Sequence, residues 1–220
     1  MKLSSAIAVL SGNTATNNTY NGIYFEGVVS GNMTWQADAI PYIVNKFTVN
    51  AGKTLTIQAG VVVKFINSPY TDSAITVEGT LVTQGTEAKP VVFTAASDNT
   101  VGGSNSYTGG GIKTSWERLY ISSGSTGSQL TYTTLKYGGN TYYEAALYVK
   151  QSDVQLSNVE IAGSTYSGIA SVSGTITGSG VTLSNNTYGF HMQGGNCPAL
   201  SGVTVTGTLL HPSSSPVCSF

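Results

Sequence analysis

Charge is what this sequence has least of. Only 9% of its 220 residues are Asp, Glu, Lys or Arg, against roughly 25% in an ordinary soluble domain. Net charge is −1, and Arg118 is the single arginine. With no cationic stripe to neutralise phosphates, a nucleic-acid partner is not expected. No apolar run approaches the roughly 18 residues that span a bilayer, so membrane insertion is not expected either. Segments rich in Ala, Leu and Glu are missing, which leaves long amphipathic helices without raw material. There are two histidines, and His191 and His211 do not stand at metal-ligand spacing, so neither metal nor other cofactor is expected. The opening Ala6-Ile7-Ala8-Val9-Leu10 is too short and too soon followed by Ser11-Gly12-Asn13 for a secretory leader. It reads as an internal start.

What is present is β-forming. Hydrophobic residues make up 40% of the chain, enough for a core. Thr, Val, Ile and Tyr, which suit a pleated and half-buried surface, are abundant. Gly, Ser, Thr and Asn take the surface positions that Lys and Glu normally fill.

One short apolar phrase recurs. It runs Leu135, Val159, Val181 and Val203, at intervals of 24, 22 and 22. A second register is Leu119-Tyr120-Ile121, Leu147-Tyr148-Val149, Ile169-Ala170-Ser171 and Phe190-His191-Met192, at 28, 22 and 21. A third is Leu130, Val154 and Ile176, at 24 and 22. Each phrase alternates in-out-in, as a strand does. A strand so short cannot bury its apolar edge alone, and three per period make a three-sided coil. Stacked coils pair each strand in parallel with its counterpart one period later. The expected fold is all-β: a right-handed parallel β-helix with coils of about 22 residues, forming one domain over residues 1–220. Residues 97–111 read as a loop insertion projecting from one coil, and residues 207–220 as an irregular C-terminal end. Residues 10–27 parallel Leu183–Phe190 and read as one more coil.

The first half carries a denser pattern. Thr34-Trp35 leads through Pro41-Tyr42-Ile43-Val44 to Val49-Asn50-Ala51-Gly52-Lys53-Thr54-Leu55-Thr56-Ile57, and then to Val61-Val62-Val63-Lys64-Phe65. Ile75-Thr76-Val77-Glu78-Gly79-Thr80-Leu81 and Pro90-Val91-Val92-Phe93-Thr94 follow. Here Leu55 with Ile75, Ile57 with Val77 and Val61 with Leu81 match at an offset of 20. This half, roughly residues 30 to 140, resembles the opening coils of right-handed β-helix domains in large bacterial and archaeal secreted or surface proteins, distantly similar to the pectate-lyase-like fold. The resemblance implies an extracellular or cell-surface setting and says little about activity.

Polysaccharide-cleaving enzymes are the best-known proteins of that shape, and the resemblance brings their requirements with it. Lyases need carboxylates holding calcium beside an Arg or Lys base, and hydrolases need paired carboxylates. None of the ten carboxylates here shares an outward register with another in the next coil, and no Asp-x-Asp occurs. An enzyme is therefore not expected. Lys136 and Glu160 align one coil apart and read as a surface ion pair. Outward positions of the second register hold Tyr120, Tyr148, Ala170 and His191, an aromatic ladder that Tyr142 and Tyr143 extend. Arg118 faces outward with Trp116 beside it. These rings are the candidate ligand surface, suited to the apolar side of a sugar. The outward rows Thr131-Gln155-Thr177 and Lys136-Glu160-Thr182-Thr204 are too mixed for an ice-binding threonine array.

Cys197 and Cys218 stand 21 residues apart, close to one coil, which places them within disulfide reach and favours an oxidising compartment. The expected role is a non-catalytic structural or adhesive extracellular segment, a spacer or fibre element whose uncapped coil ends allow copies to stack. The alternative is a glycan-binding module or polysaccharide-active enzyme using the Tyr/His face.

Overall fold

In the computed structural model the described residues are 12–66, 74–105, 116–139, 145–194, 197–212 and 218–220, and they contain seventeen strands and no helix. Strands are numbered in chain order, and all their pairings are parallel. Face A stacks β2 (Met33–Trp35), β4 (Thr54–Gln58), β7 (Thr80–Gln84), the first halves of β10 (Ser128–Lys136), β12 (Asp153–Ala162) and β14 (Thr175–Ser184), and β16 (Ala199–Ser201). Face B stacks the first halves of β1 (Ile23–Val29) and β3 (Tyr42–Val49), then β5 (Val62–Phe65), β8 (Val91–Ala95), the second halves of β10, β12 and β14, and β17 (Thr204–Thr206). Face C takes the second halves of β1 and β3, then β6 (Ala74–Val77), β9 (Leu119–Ile121), β11 (Ala145–Lys150), β13 (Ser167–Val172) and β15 (Tyr188–Gln193). Each turn of the chain visits A, B and C in order. The fold is a three-sided parallel β-helix.

The core follows from the alternation. On face C, Phe47, Ile75, Leu119, Leu147, Ile169 and Phe190 lie one above another, all buried. On face B the column is Tyr42, Val63, Phe93, Leu135, Ile161, Leu183. Large rings fill the early coils, where Trp35 stacks on Tyr42 at 4.7 Å.

The corners explain why the chain turns at fixed places. Between faces A and B sit Tyr132, Asn158, Gly180 and Gly202, all with positive φ (41°, 54°, 69°, 61°). Between B and C sit Tyr137, Gly163, Asn185 and Gly207, again all positive. Gln151, Ser173 and Gly194 form the third such column. One left-handed residue per corner bends the strand without breaking its inter-coil ladder. That conformation costs a non-glycine residue about 1–2 kcal/mol, which Asn tolerates best.

Three expected alignments are corrected. Leu135 pairs with Ile161, and Val159 with Thr133 below it and Val181 above it, so the step there is 26 residues. A slip of two preserves in-out alternation, which is why the pattern alone accepts either register. The same slip replaces Thr131 by Gln129 beside Gln155 and Thr177, sets Leu130 against Leu156, and separates Lys136 from Glu160: Lys136 pairs with Ala162, and Glu160 with Thr134 and Thr182. Secondly, the offset of 20 compares different faces: Leu55 stacks on Leu81, whereas Ile75 stacks between Phe47 and Leu119. Thirdly, residues 12–22 carry no strand, and Ile23–Phe25 belong to face B, not to face C with Tyr188–Phe190.

The described part of the insertion, residues 97–105, does not project but folds back, with Asp98 and Asn105 buried. Asn105 donates to the carbonyl of Ala96 and accepts from the backbone of Asn21, which ties the loop to the first coil. At the other end, residues 207–212 carry only a single bridge, Leu209 to Tyr188. Cys197 and Cys218 are bonded, with Cα atoms 5.4 Å apart. Closing a loop of this length stabilises by about 3 kcal/mol in chain-entropy terms.

Two left-handed glycines separate the effects of conformation and space. A Cβ at Gly178 would lie 1.8 Å from the Leu156 carbonyl oxygen, while at Gly202 the nearest atom is 3.6 Å away. Gly178→Ala is expected to cost at least about 3 kcal/mol, and Gly202→Ala about 1 kcal/mol, in urea unfolding. Equal losses would contradict the close approach of β12 and β14 backbones.

Candidate functional site

The ladder expected on face C exists, because its inward neighbours fix its orientation. With Leu119, Leu147, Ile169 and Phe190 inside, the next residues point out: Tyr120 pairs with Tyr148, Tyr148 with Ala170, and Ala170 with His191. Tyr120 and Tyr148 meet edge to face at 5.4 Å. The Arg118 guanidinium lies over both, 4.8 Å and 4.6 Å from their ring centres. This is cation–π geometry. Tyr166 meets Tyr188 at 5.4 Å and His191 at 5.6 Å, both edge to face.

These rings form a packed layer and not an open platform. Tyr148 and His191 are each 8% exposed, and Ala170 is 1% exposed. Ala145, Tyr148 and Ala170 make a second apolar cluster outside the solenoid, with Tyr120 and Val172 against it. Outward in register therefore does not mean exposed here: aromatic side chains cover one another and the small residues between them. Nε2 of His191 lies 3.3 Å from the Gln193 amide nitrogen, while its buried Nδ1 has no hydrogen-bond partner among the described residues.

Trp116 lies elsewhere. It is fully buried, stacked on Phe65 at 4.0 Å, and its Nε1–H donates to the Lys136 carbonyl at 2.7 Å. Residues 116–118 precede β9, so its alternation does not extend to them; a bridge to Gly138 draws Trp116 into the core. Tyr142 and Tyr143 fall outside the described residues.

Face B holds a cluster that periodicity does not reveal. Lys64 points outward between Val63 and Phe65, yet it is fully buried. The folded-back loop covers it: its ammonium donates to the carbonyl of Asp98 at 2.8 Å and to that of Gly103. Burial lowers its pKa to about 8, against the opposing charge of Asp98. Burial also pushes the Asp98 carboxyl up, but hydrogen bonds from Thr100 and Thr94 and the charge of Lys136 outweigh it and leave it below the usual range. The available signal was a lone lysine inside an apolar strand, followed one coil later by a Gly- and Asn-rich insertion on the same face.

The other carboxylates are dispersed. Glu26 accepts from Tyr24 and Asn45, and Asp38 from Asn13 and the backbone of Ala39. No group of three or more His, Cys, Asp or Glu placed to hold a metal occurs among the described residues, which exclude Asp72 and Glu144. The arrangement offers buried hydrogen-bond anchors and ring surfaces, with no carboxylate pair poised over a groove.

A family profile described as a pectate-lyase-like β-helix domain matches residues 27–185, most of the chain. No curated protein and no solved structure matches it.

Lys64 makes stability pH-dependent. Between about pH 8 and the unfolded lysine value near 10.4, the folded state binds fewer protons than the unfolded one, so stability rises with pH. Urea midpoints are expected to climb from about pH 8 to 9.5, below the range where the raised phenols of Tyr24 and Tyr42 titrate. Lys64→Met is expected to flatten that rise. An equal rise in the variant would show that another group is responsible.

Proposed function

The chain belongs to the pectate-lyase-like β-helix domain family, and from that starting point we propose that it serves as a non-catalytic structural or adhesive segment of an extracellular protein. The observation that carries this reading is continuity. The inward columns of faces B and C run through the coils without a break, and the outward groups able to do chemistry are committed to neighbours. Arg118 lies over two tyrosines, and Lys64 and Asp98 hold a loop. A solenoid so built is a stiff spacer. The Cys197–Cys218 bond suits an oxidising, extracellular or cell-surface compartment. Sugar binding across Tyr120, Tyr148 and His191 has less support, since two of these three side chains are nearly covered.

The exposed large apolar side chains are Tyr24, Val28, Leu209 and Phe220. Two lie on β1 and two in the last coil, where stacking of another copy would cover them. This favours head-to-tail contact as the mode of self-association.

Two readouts on the purified chain test the proposal. Incubation with neutral and acidic polysaccharides is expected to release neither reducing ends nor unsaturated products, and turnover of any polymer would overturn the non-catalytic role. Sedimentation velocity is expected to show association rising with concentration and weakened by Val28→Lys; a monomer at every concentration removes the stacking.

A further inference from the structure

Face A is the side of the solenoid that the chain leaves bare. The three longest connections between strands, residues 66–73, 96–118 and 137–144, all pass from face B to face C. On face A the corrected register brings Thr34, Thr56, Val82, Gln129, Gln155 and Thr177 into one outward row along the coil axis. Flanking positions continue the same chemistry: Thr54 over Thr80, Gln58 over Gln84, Ser157 over Ser179. Asp153, paired with Thr175, is the single charge among the outward positions of these strands.

The row is also indented. A groove of about 450 Å³ crosses the coils of β10, β12 and β14, walled by Gln129, Asp153, Gln155, Thr175 and Thr177. All five side chains are exposed. The two glutamine amides each present a donor and an acceptor, and the threonine hydroxyls can act as either.

We propose that face A is a docking surface for a neutral, extended polysaccharide lying along the coil axis in this groove. The proposal rests on the adhesive reading above and names its ligand class. Successive coils repeat their polar groups about every 4.8 Å, so an elongated polymer meets an equivalent rung at each step. Hydroxyl groups match amides and hydroxyls that both donate and accept. The absence of cationic side chains from these outward positions, together with Asp153, disfavours a polyanion. No aromatic ring lies on the row, so contact is by hydrogen bonding and depends on several rungs engaged together.

Affinity electrophoresis through gels containing a neutral glucan, a neutral mannan or a polyuronate tests this. Retardation by at least one neutral polymer is expected, with none by the polyuronate. The double variant Gln129→Glu/Gln155→Glu, which makes an acidic strip with Asp153, is expected to weaken retention about tenfold. Gln155→Ala, which adds no charge, is expected to weaken it about threefold. Ala162→Glu adds the same charge beside Lys136 on face B and is expected to change nothing. No retardation by either neutral polymer, stronger retention by the polyuronate, or retention unaffected by the glutamine variants would overturn the inference. Those results would leave the spacer reading standing, whereas polymer cleavage would overturn the spacer and not the binding face.

Discussion

No strand of this chain is satisfied within its own coil. Every backbone ladder runs to the coil above or below, to partners from 19 residues away (Ile23 to Tyr42) to 47 away (Gln129 to Val82). The parallel inter-coil ladder is therefore the constraint on which the rest depends. It fixes which side chains pile into the core columns, and it requires each corner to turn within one residue, hence the left-handed columns through Asn158 and Asn185. It also means that stability is shared between neighbours: a coil is held by the coils on either side and by little else.

The ladder assigns different work to the three faces. Face B receives the folded-back loop and spends a buried lysine on holding it, at the cost of desolvating an ammonium. Face C carries a second apolar layer, with Tyr120, Tyr148 and His191 packed among small residues. Face A has neither loop nor layer and keeps a neutral, hydrogen-bonding strip. Because each long insertion enters at the corner between B and C, it crowds those two sides and spares the third.

The architecture was legible because a fixed period in several registers has few other physical explanations. Where consecutive coils have equal length, the register was legible too: Val159 over Val181 and Ala170 over His191 hold residue for residue. It failed wherever coil length changes. A two-residue slip leaves alternation intact, so Leu135 and Lys136 were assigned to the wrong partners. Faces with the same in-out pattern cannot be told apart by composition, which is how Leu55 was set against Ile75. Burial on the outer faces was the least legible property. Lys64 and Tyr148 point outward by period, and what covers Lys64 comes from a distant loop whose path no local pattern encodes. Trp116 shows the converse: a residue outside any strand is not bound by the strand's alternation.

The register at Lys136 tests the central claim most directly, since the ladder and the alternation alone give different answers there. Paired residues of adjacent parallel strands lie within disulfide reach, and a partner two positions away lies beyond it. In a background with Cys197 and Cys218 kept, Lys136→Cys with Ala162→Cys is expected to cross-link readily under mild oxidation, and Lys136→Cys with Glu160→Cys is not. Efficient cross-linking of the second pair with failure of the first would contradict the register, and with it the face assignments built on it.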